Sequence, residues 1–429
     1  MPRTPPLLPP LLQRPDQTIW DLELITMTPM FGGSAQKRQT DEGHPVRAAS
    51  IRGQLRFWWR ATAGTGYASG PDLFRAEARL WGSATQHGEK AERQSFNPPR
   101  IEVETICKGT SVRPSELGKG GGSPAREGPR EQYFVFPFLE NGNDPEALGR
   151  RGVRFRLRVT LDHQMPADLV DEVRSAVRAW VVFGGVGSRT RRGCGSLMVI
   201  GENAAEWTPE TPDTLWGWFA EELEYVGNTQ YSTLSKSTLS LAELSEGLKA
   251  PIDVHSDEVR TQIEEKVWRS LANFWVRFRK GHFTPNRSAY SPMHGGEWGD
   301  HSQLRAHGNG KSDLQLAKAF LGLPTVYQWF AGKNGKPPAF KGTLEAATPN
   351  GRRMASPVIL KPIVFQDGIR AGVLVLRTPL PQRMQIDGVP FNVTVATNDP
   401  VLRALETTSP TAAVSEAAKR AKFSRQVKL

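Results

Sequence analysis

Cysteine is scarce in this chain of 429 residues: Cys107 and Cys194 are the two present, and neither belongs to a CxxC pair. The scarcity argues against a disulfide framework and against a cysteine-based zinc site, and it fits the reducing cytoplasm in which we expect the protein. Long apolar runs are also lacking, so we expect no membrane span. Pro9 and Pro10 interrupt the leucines near the N-terminus, which predicts a Pro-rich tail rather than a signal peptide.

Acidic residues are outnumbered by basic ones. The 55 Lys and Arg residues against 44 Asp and Glu residues give a net charge of +11 and a pI near 9.7. The apolar share of 38% and the mean hydropathy of −0.45 are typical of a globular protein, and the length fits two domains. A surplus of positive charge suggests a polyanionic partner, either a nucleic acid or an acidic membrane face.

The order of the predicted elements indicates an α+β fold. In the first half, strand and helix periodicities alternate as strand, helix, strands, helix, strand, which is the βαββαβ ferredoxin-like pattern interrupted by long loops. The segments are strands near Trp20–Thr28, 101–106, 132–136, 153–161 and 197–200, and helices over 51–63 (with Ser50 as N-cap) and 168–183.

The second half predicts a further α+β domain, a degenerate copy of the first, although no repeat is visible in the sequence. The predicted fold is therefore two ferredoxin-like (RRM-like) domains with long loop insertions. We divide the chain into a Pro-rich tail (1–17), a first domain (18–205), a second domain (206–400) and a basic C-terminal tail (401–429). From about Thr411 the tail predicts an exposed basic helix.

Three arginines recur at helical spacing in the first predicted helix. Arg52, Arg56 and Arg60 stand at i, i+4 and i+8, which puts them on one stripe. The stripe suggests an anionic partner, because aligned arginines repel one another; a solvated helix face is the alternative. Arg47 precedes the helix, whose N-terminal N–H groups favour phosphate. We expect Arg52, Arg56 and Arg60 on the exposed face of this helix and Leu55 and Trp59 in the core.

A glycine-rich stretch, GGVGSRTRRGCGS, runs from Gly184 to Ser196. It is not a Walker A loop or a Rossmann fingerprint, because the required lysine and the third glycine are missing. Glycines let a backbone approach a polyanion closely, and arginines supply charge and paired donors for phosphate. A structural turn with incidental arginines is the alternative.

Histidines offer a weaker indication of catalysis. His44 could act as a general acid or base, but no catalytic partner is recognisable, so we expect no catalytic residue here. His282, His294, His301 and His307 cluster loosely in the second half with spacings that match no standard zinc pattern. We expect no metal and no cofactor, and the role of this histidine cluster stays open.

These motifs together resemble the RAMP superfamily of CRISPR proteins, in which a loop of the type seen from Gly185 to Ser196 precedes a strand. The phrase TPMFGGSAQ…RAASIRGQLRFWWRA (Thr28 to Ala61) is more specific. It is similar to the first-numbered RAMP subunit of the type III-B (Cmr) effector complex. The segments GLPTVYQW (Gly322 to Trp329) and RRMASPVILKP (Arg352 to Pro362) resemble later parts of the same family.

The resemblance implies an RNA-binding subunit of an effector ribonucleoprotein in antiviral defence. Its partners would be crRNA near the 3′ end, target RNA and the other Cmr subunits, and it would not itself be an enzyme. A metal-independent RAMP-type endoribonuclease and a purely structural adaptor are the alternatives. RNA register, base preference and the surfaces facing other subunits stay open. The expected RNA-binding residues are Lys37, Arg38, Arg47, Arg52, Arg56, Arg60, Gly185, Gly187, Arg189, Arg191 and Arg192.

Overall fold

The computed structural model describes most of the chain outside the N-terminus and several loops. The described residues are 17–34, 36, 38–67, 69–82, 96–118, 131–140, 142, 144–220, 233–281, 298–307, 313–329, 340–347 and 351–429. The Pro-rich start and most of the loops after Gly82 and Lys108 lie outside them. Within these ranges, no helix combines the length and apolar content that crossing a bilayer requires.

The first half folds around a four-stranded antiparallel sheet. Its elements in chain order are β1 (Thr18–Thr26), α1 (Ala48–Ala61), α2 (Gly70–Trp81), β2 (Arg100–Cys107), β3 (Thr110–Val112), α3 (Glu131–Val135), β4 (Gly149–Arg151), β5 (Arg154–Leu161), α4 (Ala167–Phe183) and β6 (Leu197–Ile200). The strand order is β2-β5-β1-β6, and α1 and α4 connect the strands as in the predicted βαββαβ pattern. Trp20, Leu22 and Leu24 alternate into the core on β1.

The second half repeats this arrangement. Its elements are α5 (Leu215–Ala220), β7 (Thr233–Leu241), β8 (Leu248–Lys249), α6 (Asp257–Gln262), α7 (Arg269–Lys280), α8 (Asp300–His307), β9 (Asp313–Leu316), β10 (Thr325–Trp329), β11 (Phe340–Ala346), β12 (Val358–Phe365), β13 (Gly368–Arg377), β14 (Arg383–Ile386), β15 (Val389–Val395), α9 (Pro400–Ala404), α10 (Pro410–Arg420) and β16 (Arg425–Lys428). A π-helical turn, Ile263–Trp268, joins α6 to α7.

The second core sheet has the order β12-β13-β7-β16, again antiparallel throughout. Numbered by position within their own domains, both cores follow the order 2-3-1-4, with helices after the first and third strands. This agrees with the predicted ferredoxin-like pattern. A further sheet of order β10-β11-β14-β15-β9 is inserted into the second domain and has its own small core around Tyr327, Leu344 and Phe391.

The two domains share buried surface. Apolar residues of α1 and α4 belong to one core cluster with Leu239, Ile363 and Leu374 of the second sheet. Charged contacts add to the apolar ones. The Arg151 guanidinium lies 2.7 Å from the Glu264 carboxylate, and Arg269 pairs with the buried Glu131. The junction thus combines a shared apolar core with two ion pairs, and in each pair the glutamate is buried.

The C-terminal segment is not the exposed basic tail that the sequence predicted. Helix α10 buries Ala413, Val414 and Ala417, Phe423 is 3% exposed, and β16 pairs with β7 at the edge of the second core sheet. The segment therefore supplies the last helix and strand of the second domain. Lysine and arginine at the end of the helix obscured an apolar face made mainly of alanines.

We expect Phe423→Ala to lower the free energy of unfolding by about 3–5 kcal/mol, because a buried phenylalanine is replaced by a cavity. Lys419→Ala, which changes an exposed residue of the same helix, should stay within about 0.5 kcal/mol of the parent protein. Denaturant unfolding of both variants checks this. Equal stability of the two variants would contradict the placement of this segment in the core.

One lysine is buried in the domain junction. Lys361 on β12 is 1% exposed, and its Nζ donates hydrogen bonds to the carbonyl oxygens of Val181 (3.3 Å) and Gly184 (3.0 Å) at the end of α4. Burial without a carboxylate partner lowers the pKa of Lys361 from its ordinary 10.5 to about 7. The side chain therefore ties the two domains together at a cost in desolvation.

This depressed pKa makes the junction sensitive to pH. Between about pH 7 and 10.5 the unfolded chain holds a proton that the folded protein has released, so the free energy of unfolding should rise with pH across this window. Below about pH 7 both the folded and the unfolded protein hold the proton, so the folded protein bears the full free-energy cost of burying a charged lysine. Lys361→Met should remove this contribution. Urea unfolding at pH 7 and pH 9 tests it, and an identical pH increment in both proteins would count against it.

Candidate functional site

Helix α2 partly covers the arginine stripe of α1. Arg56 and Arg60 both place a guanidinium nitrogen 2.5 Å from Oε1 of Glu77, whose side chain is 6% exposed. Arg52 donates a hydrogen bond to the carbonyl oxygen of Trp81. Because one glutamate offsets the charge of two of the three arginines, the stripe keeps a net positive charge, but its donors are directed at the protein itself.

The prediction that Arg52, Arg56 and Arg60 are exposed is therefore wrong: each is half-buried. The physical reason is Glu77 of α2, which offsets the positive charge of arginines on α1. The spacing of residues within α1 gives no sign of this partner on another helix. The other side of the helix is as predicted, since Leu55 and Trp59 are fully buried.

The arginines of the glycine-rich stretch also bind their own chain. Arg191 donates a hydrogen bond to the carbonyl oxygen of Ser356. Arg192 donates to the carbonyl oxygen of Val358 at 2.8 Å and lies 4.5 Å from the centre of the Trp275 ring. Burial lowers the pKa of Arg191 to about 10, and it also lowers the pKa of Arg192 well below its ordinary value. Both side chains point into the domain junction.

Arg189 lies at the edge of this junction. Its backbone is left-handed, with φ of 63°, and its Nε donates to the carbonyl oxygen of Phe134 at 2.8 Å. The guanidinium carbon is 5.1 Å from the centre of the Phe136 ring. Arg189, Arg191 and Arg192 thus have partners within the chain, namely backbone carbonyls and aromatic rings. That they contact RNA phosphates stays a prediction.

The glycines of the loop are required by packing inside the first domain. A Cβ on Gly187, whose φ is +79°, would lie 2.7 Å from the carbonyl oxygen of Phe31, and one on Gly185 would lie 2.8 Å from that of Gly195. Ser188 N donates to the same Phe31 oxygen at 2.7 Å. We expected these glycines to let a polyanion come close to the backbone. In the structure, the atoms that come this close are the protein's own backbone atoms.

The loop between β1 and α1 is held by Arg38. Its guanidinium donates to the carbonyl oxygens of Leu139 and Pro145, both at 2.8 Å, and its φ is 65°. The neighbouring Lys37 lies outside the described residues. Arg38 therefore acts within the fold, as a link between this loop and the segment that follows α3.

Three of the expected residues meet at one small concave site, which we call the loop pocket. It forms where the N-terminus of α1 faces the glycine-rich loop and encloses about 80 Å³. Its lining is Gly33, Pro45, Val46, Arg47, Ser50, Ile51, Gln54, Gly185, Val186, Gly187 and Ser188. Gly33, Gln54 and Ser188 were not in the predicted set. Ser188 stands inside the glycine-rich motif, whereas nothing in the sequence singles out Gln54.

The electrostatics of the loop pocket favour an anion. Helix α1 starts at Ala48, three residues earlier than predicted, so Arg47 rather than Ser50 is the N-cap. No side chain caps this end, and its first turn carries no acidic residue. The buried Nε of Arg47 has no hydrogen-bond partner among the described residues. An uncapped helix N-terminus with an arginine beside it is the arrangement that binds phosphate groups.

The open face of the first sheet is a poor surface for RNA. Among the described residues of its four strands, none is an exposed aromatic residue of the kind with which RRM-like sheets stack bases. Charged side chains cover it instead and pair across the strands at 3.3–3.4 Å. The residues are Arg154 with Glu23, Arg156 with Asp21 and Glu104, and Arg158 with Asp21. The two domains share the ferredoxin-like pattern with RRM domains, but this sheet does not carry their binding chemistry.

Within the described ranges, no group of three or more His, Cys, Asp or Glu residues is placed to hold a metal ion. His44 lies in the loop before α1, where its backbone N–H donates to Asp41 Oδ1 at 2.8 Å. His282 and His294 lie outside the described residues. His301 and His307 are both in α8.

A larger cavity of about 510 Å³ lies on the second domain, between α7 and α10. Its floor includes Phe274 and Phe423, and its rim includes Lys266, Arg277 and Arg420. None of the residues predicted from the sequence lines it. The loop pocket is smaller, but it unites the two sequence motifs and is therefore the better candidate site.

The role of the buried arginines can be tested by stability. We expect Arg192→Ala to lower the free energy of unfolding by about 2–4 kcal/mol, because hydrogen bonds from a charged donor are lost and carbonyl oxygens stay buried. Arg75→Ala, at an exposed residue paired with Asp72, should cost less than about 1 kcal/mol. Urea unfolding of both variants measures the difference, and a fully stable Arg192→Ala protein would contradict the structural role.

Comparison with known proteins finds one family model and several solved structures that are similar to this chain. No curated protein sequence matches the chain, whereas 15 chains of solved structures do. Cmr1 from Pyrococcus furiosus (apo form) is 16% identical, with 85% of this chain and 89% of that chain covered and a TM-score of 0.47.

Two further structures contain matching chains. One is the Type III-B Cmr-beta bound to cognate target RNA, with 11% identity, 93% and 99% coverage and a TM-score of 0.39. The other is Cmr-beta with cognate target RNA and AMPPnP, state 2, in the presence of ssDNA, with 11% identity, 94% and 98% coverage and a TM-score of 0.41.

These identities and TM-scores are low, and the match to a family model is limited to the first domain. The RAMP superfamily model matches residues 23–198, from β1 to β6, which is the first ferredoxin-like core together with both motifs of the loop pocket. In this part of the chain, the protein is similar to the RAMP superfamily.

Proposed function

We propose that the protein is an RNA-binding subunit of a type III-B CRISPR effector complex, and that the loop pocket holds a phosphate of the RNA backbone. The observation that carries the proposal is the meeting of Arg47, the uncapped N-terminus of α1 and the backbone of Gly187 and Ser188 in one concave site. In this role the subunit contacts crRNA near its 3′ end and helps to capture target RNA.

Three lines of reasoning support this proposal. The match to the RAMP superfamily covers the whole pocket, and the phrase from Thr28 to Ala61, which includes Arg47, resembles the first-numbered RAMP subunit of the Cmr complex. The net charge of +11 favours a polyanionic ligand. The predicted arginines of the other motifs donate to the protein's own carbonyls or to the Glu77 carboxylate. The unpartnered Nε of Arg47 is therefore the best-placed donor of the set.

Binding without cleavage is part of the proposal. A general acid–base mechanism needs groups within hydrogen-bond reach of the reacting atoms and of each other. Among the described residues, His44 has Asp41 as its neighbour through a backbone hydrogen bond, which is a turn contact rather than a catalytic pair. Incubating the purified chain with labelled RNA, with and without chelator, separates a binder from an endoribonuclease.

The phosphate site predicts a change in salt dependence. Arg47→Ala should weaken binding of single-stranded RNA and reduce the slope of log affinity against log salt by about 0.7, the value for one phosphate contact. The loss should be similar for all RNA sequences, because phosphate contacts carry no base information. Fluorescence anisotropy with labelled RNA at several salt concentrations measures both quantities.

Arg75→Ala is the matched control, since it also removes one arginine from the first domain but at a site 70% exposed and distant in sequence from the pocket. It should leave the slope nearly unchanged. If folded Arg47→Ala protein keeps the parent slope, the loop pocket does not hold phosphate. If the parent chain does not bind RNA at all, the structural adaptor becomes the better explanation.

A further inference from the structure

Two large aromatic rings are exposed next to the glycine-rich loop. Phe136 is 57% exposed and Tyr133 is 40% exposed, and their ring centres are 6.4 Å apart with an interplanar angle of 38°. Exposed aromatic rings that lie side by side are a candidate binding surface, because each ring carries a large apolar area. The pair therefore needs an explanation that the loop pocket does not supply.

The fold itself turns these rings outward. The sequence predicted a strand over 132–136, but the segment forms α3 and a following 3₁₀ turn, Phe136–Phe138. In a helix, residues three apart share a face, so Tyr133 and Phe136 lie together. The opposite face is fixed to the second domain, where Phe134 packs 6.0 Å from Trp268 between ring centres.

The aromatic pair is joined to the loop pocket through Arg189. This arginine follows Ser188, which lines the pocket. Its Nε is bonded to the carbonyl oxygen of Phe134, and its guanidinium lies 5.1 Å from the centre of the Phe136 ring. One peptide bond thus separates the wall of the proposed phosphate site from a cation fixed on an exposed ring.

We propose that Tyr133 and Phe136 form a stacking platform for a nucleobase of the RNA whose backbone lies in the loop pocket. The inference rests on the proposed function and adds a base-binding subsite to it. Aromatic rings that accept bases beside an arginine are the recurring means of binding single-stranded nucleic acid without sequence preference, since every base has a π face.

A nucleobase fits this surface better than a protein partner. A stable protein interface buries about 800 Å² on each side, far more than two partly exposed rings offer. The fixed positive charge of Arg189 at the edge of the platform suits a ligand that carries phosphates beside its aromatic groups. If another subunit of the effector covers the two rings instead, the variants below will impair assembly and not RNA binding.

The test is RNA binding by the full chain carrying Tyr133→Ala and Phe136→Ala together. Loss of one stacked base should weaken affinity by about 5- to 150-fold, with the salt slope unchanged because no phosphate contact is removed. Phe74→Ala is the matched control, since Phe74 is also 57% exposed but lies on α2. It should bind as the parent does.

Two single variants separate stacking from apolar contact. Tyr133→Phe keeps the ring and should retain full affinity, whereas Phe136→Leu keeps apolar area without a ring and should lose most of what Phe136→Ala loses. Equal affinity of the parent and the Phe136→Leu variant would overturn the platform.

The outcomes also distinguish this proposal from the one on which it rests. If Arg47→Ala reduces the salt slope while the double variant binds RNA normally, the phosphate site stands and the platform is rejected. If the double variant binds RNA normally but no longer assembles with the other effector subunits, the rings are a protein interface. If the parent chain does not bind RNA, both proposals fall.

Discussion

The placement of the glycine-rich loop between the two domains is the constraint on which the rest of the structure depends. Arg191 and Arg192 donate to backbone carbonyls at the start of the β12 region, and the carbonyl oxygen of Arg192 accepts a hydrogen bond from Trp268 Nε1 at 2.8 Å. A Cβ on Gly193 would lie 2.7 Å from the carbonyl oxygen of Leu360. Only a loop rich in glycine can come this close to a second backbone.

This constraint positions the candidate site. Because the C-terminal half of the loop is fixed in the junction, its N-terminal half, Gly185 to Ser188, is held against the start of α1. The same contacts fix α3, since Glu131 pairs with Arg269 and Phe134 packs on Trp268. The loop pocket and the aromatic pair are thus presented on one rigid support, which keeps the cost of ordering the site low when a ligand binds.

The fold could be predicted from the sequence to a large extent, because apolar periodicity reports burial directly. The alternation from Trp20 to Leu24 and the helical pattern of α4 were sufficient to recognise the first core. Long-range contacts set the limits. The segment 132–136 has strand-like composition, yet contacts with α7 make it helical, in keeping with the context dependence of β propensity. The alanine face of α10 was hidden by the lysines and arginines that end the helix.

The candidate site was predictable in part. The glycine-rich motif and Arg47 were recognisable as local features and do meet in space. The partners of the remaining arginines were not, since Glu77, Ser356 and Val358 stand far from them in the sequence and two of these accept through backbone oxygens. The sequence shows where the arginines are, but the acceptor to which each arginine donates a hydrogen bond depends on the tertiary structure.

The most direct test of the central claim is a structure of the chain bound to a short single-stranded RNA. The account predicts a phosphate within hydrogen-bond distance of the Arg47 guanidinium and the first turn of α1, with Arg191 and Arg192 still bonded to Ser356 and Val358. Phosphates held by Arg191 and Arg192, released from those carbonyls, or an RNA path that avoids the loop pocket would contradict it.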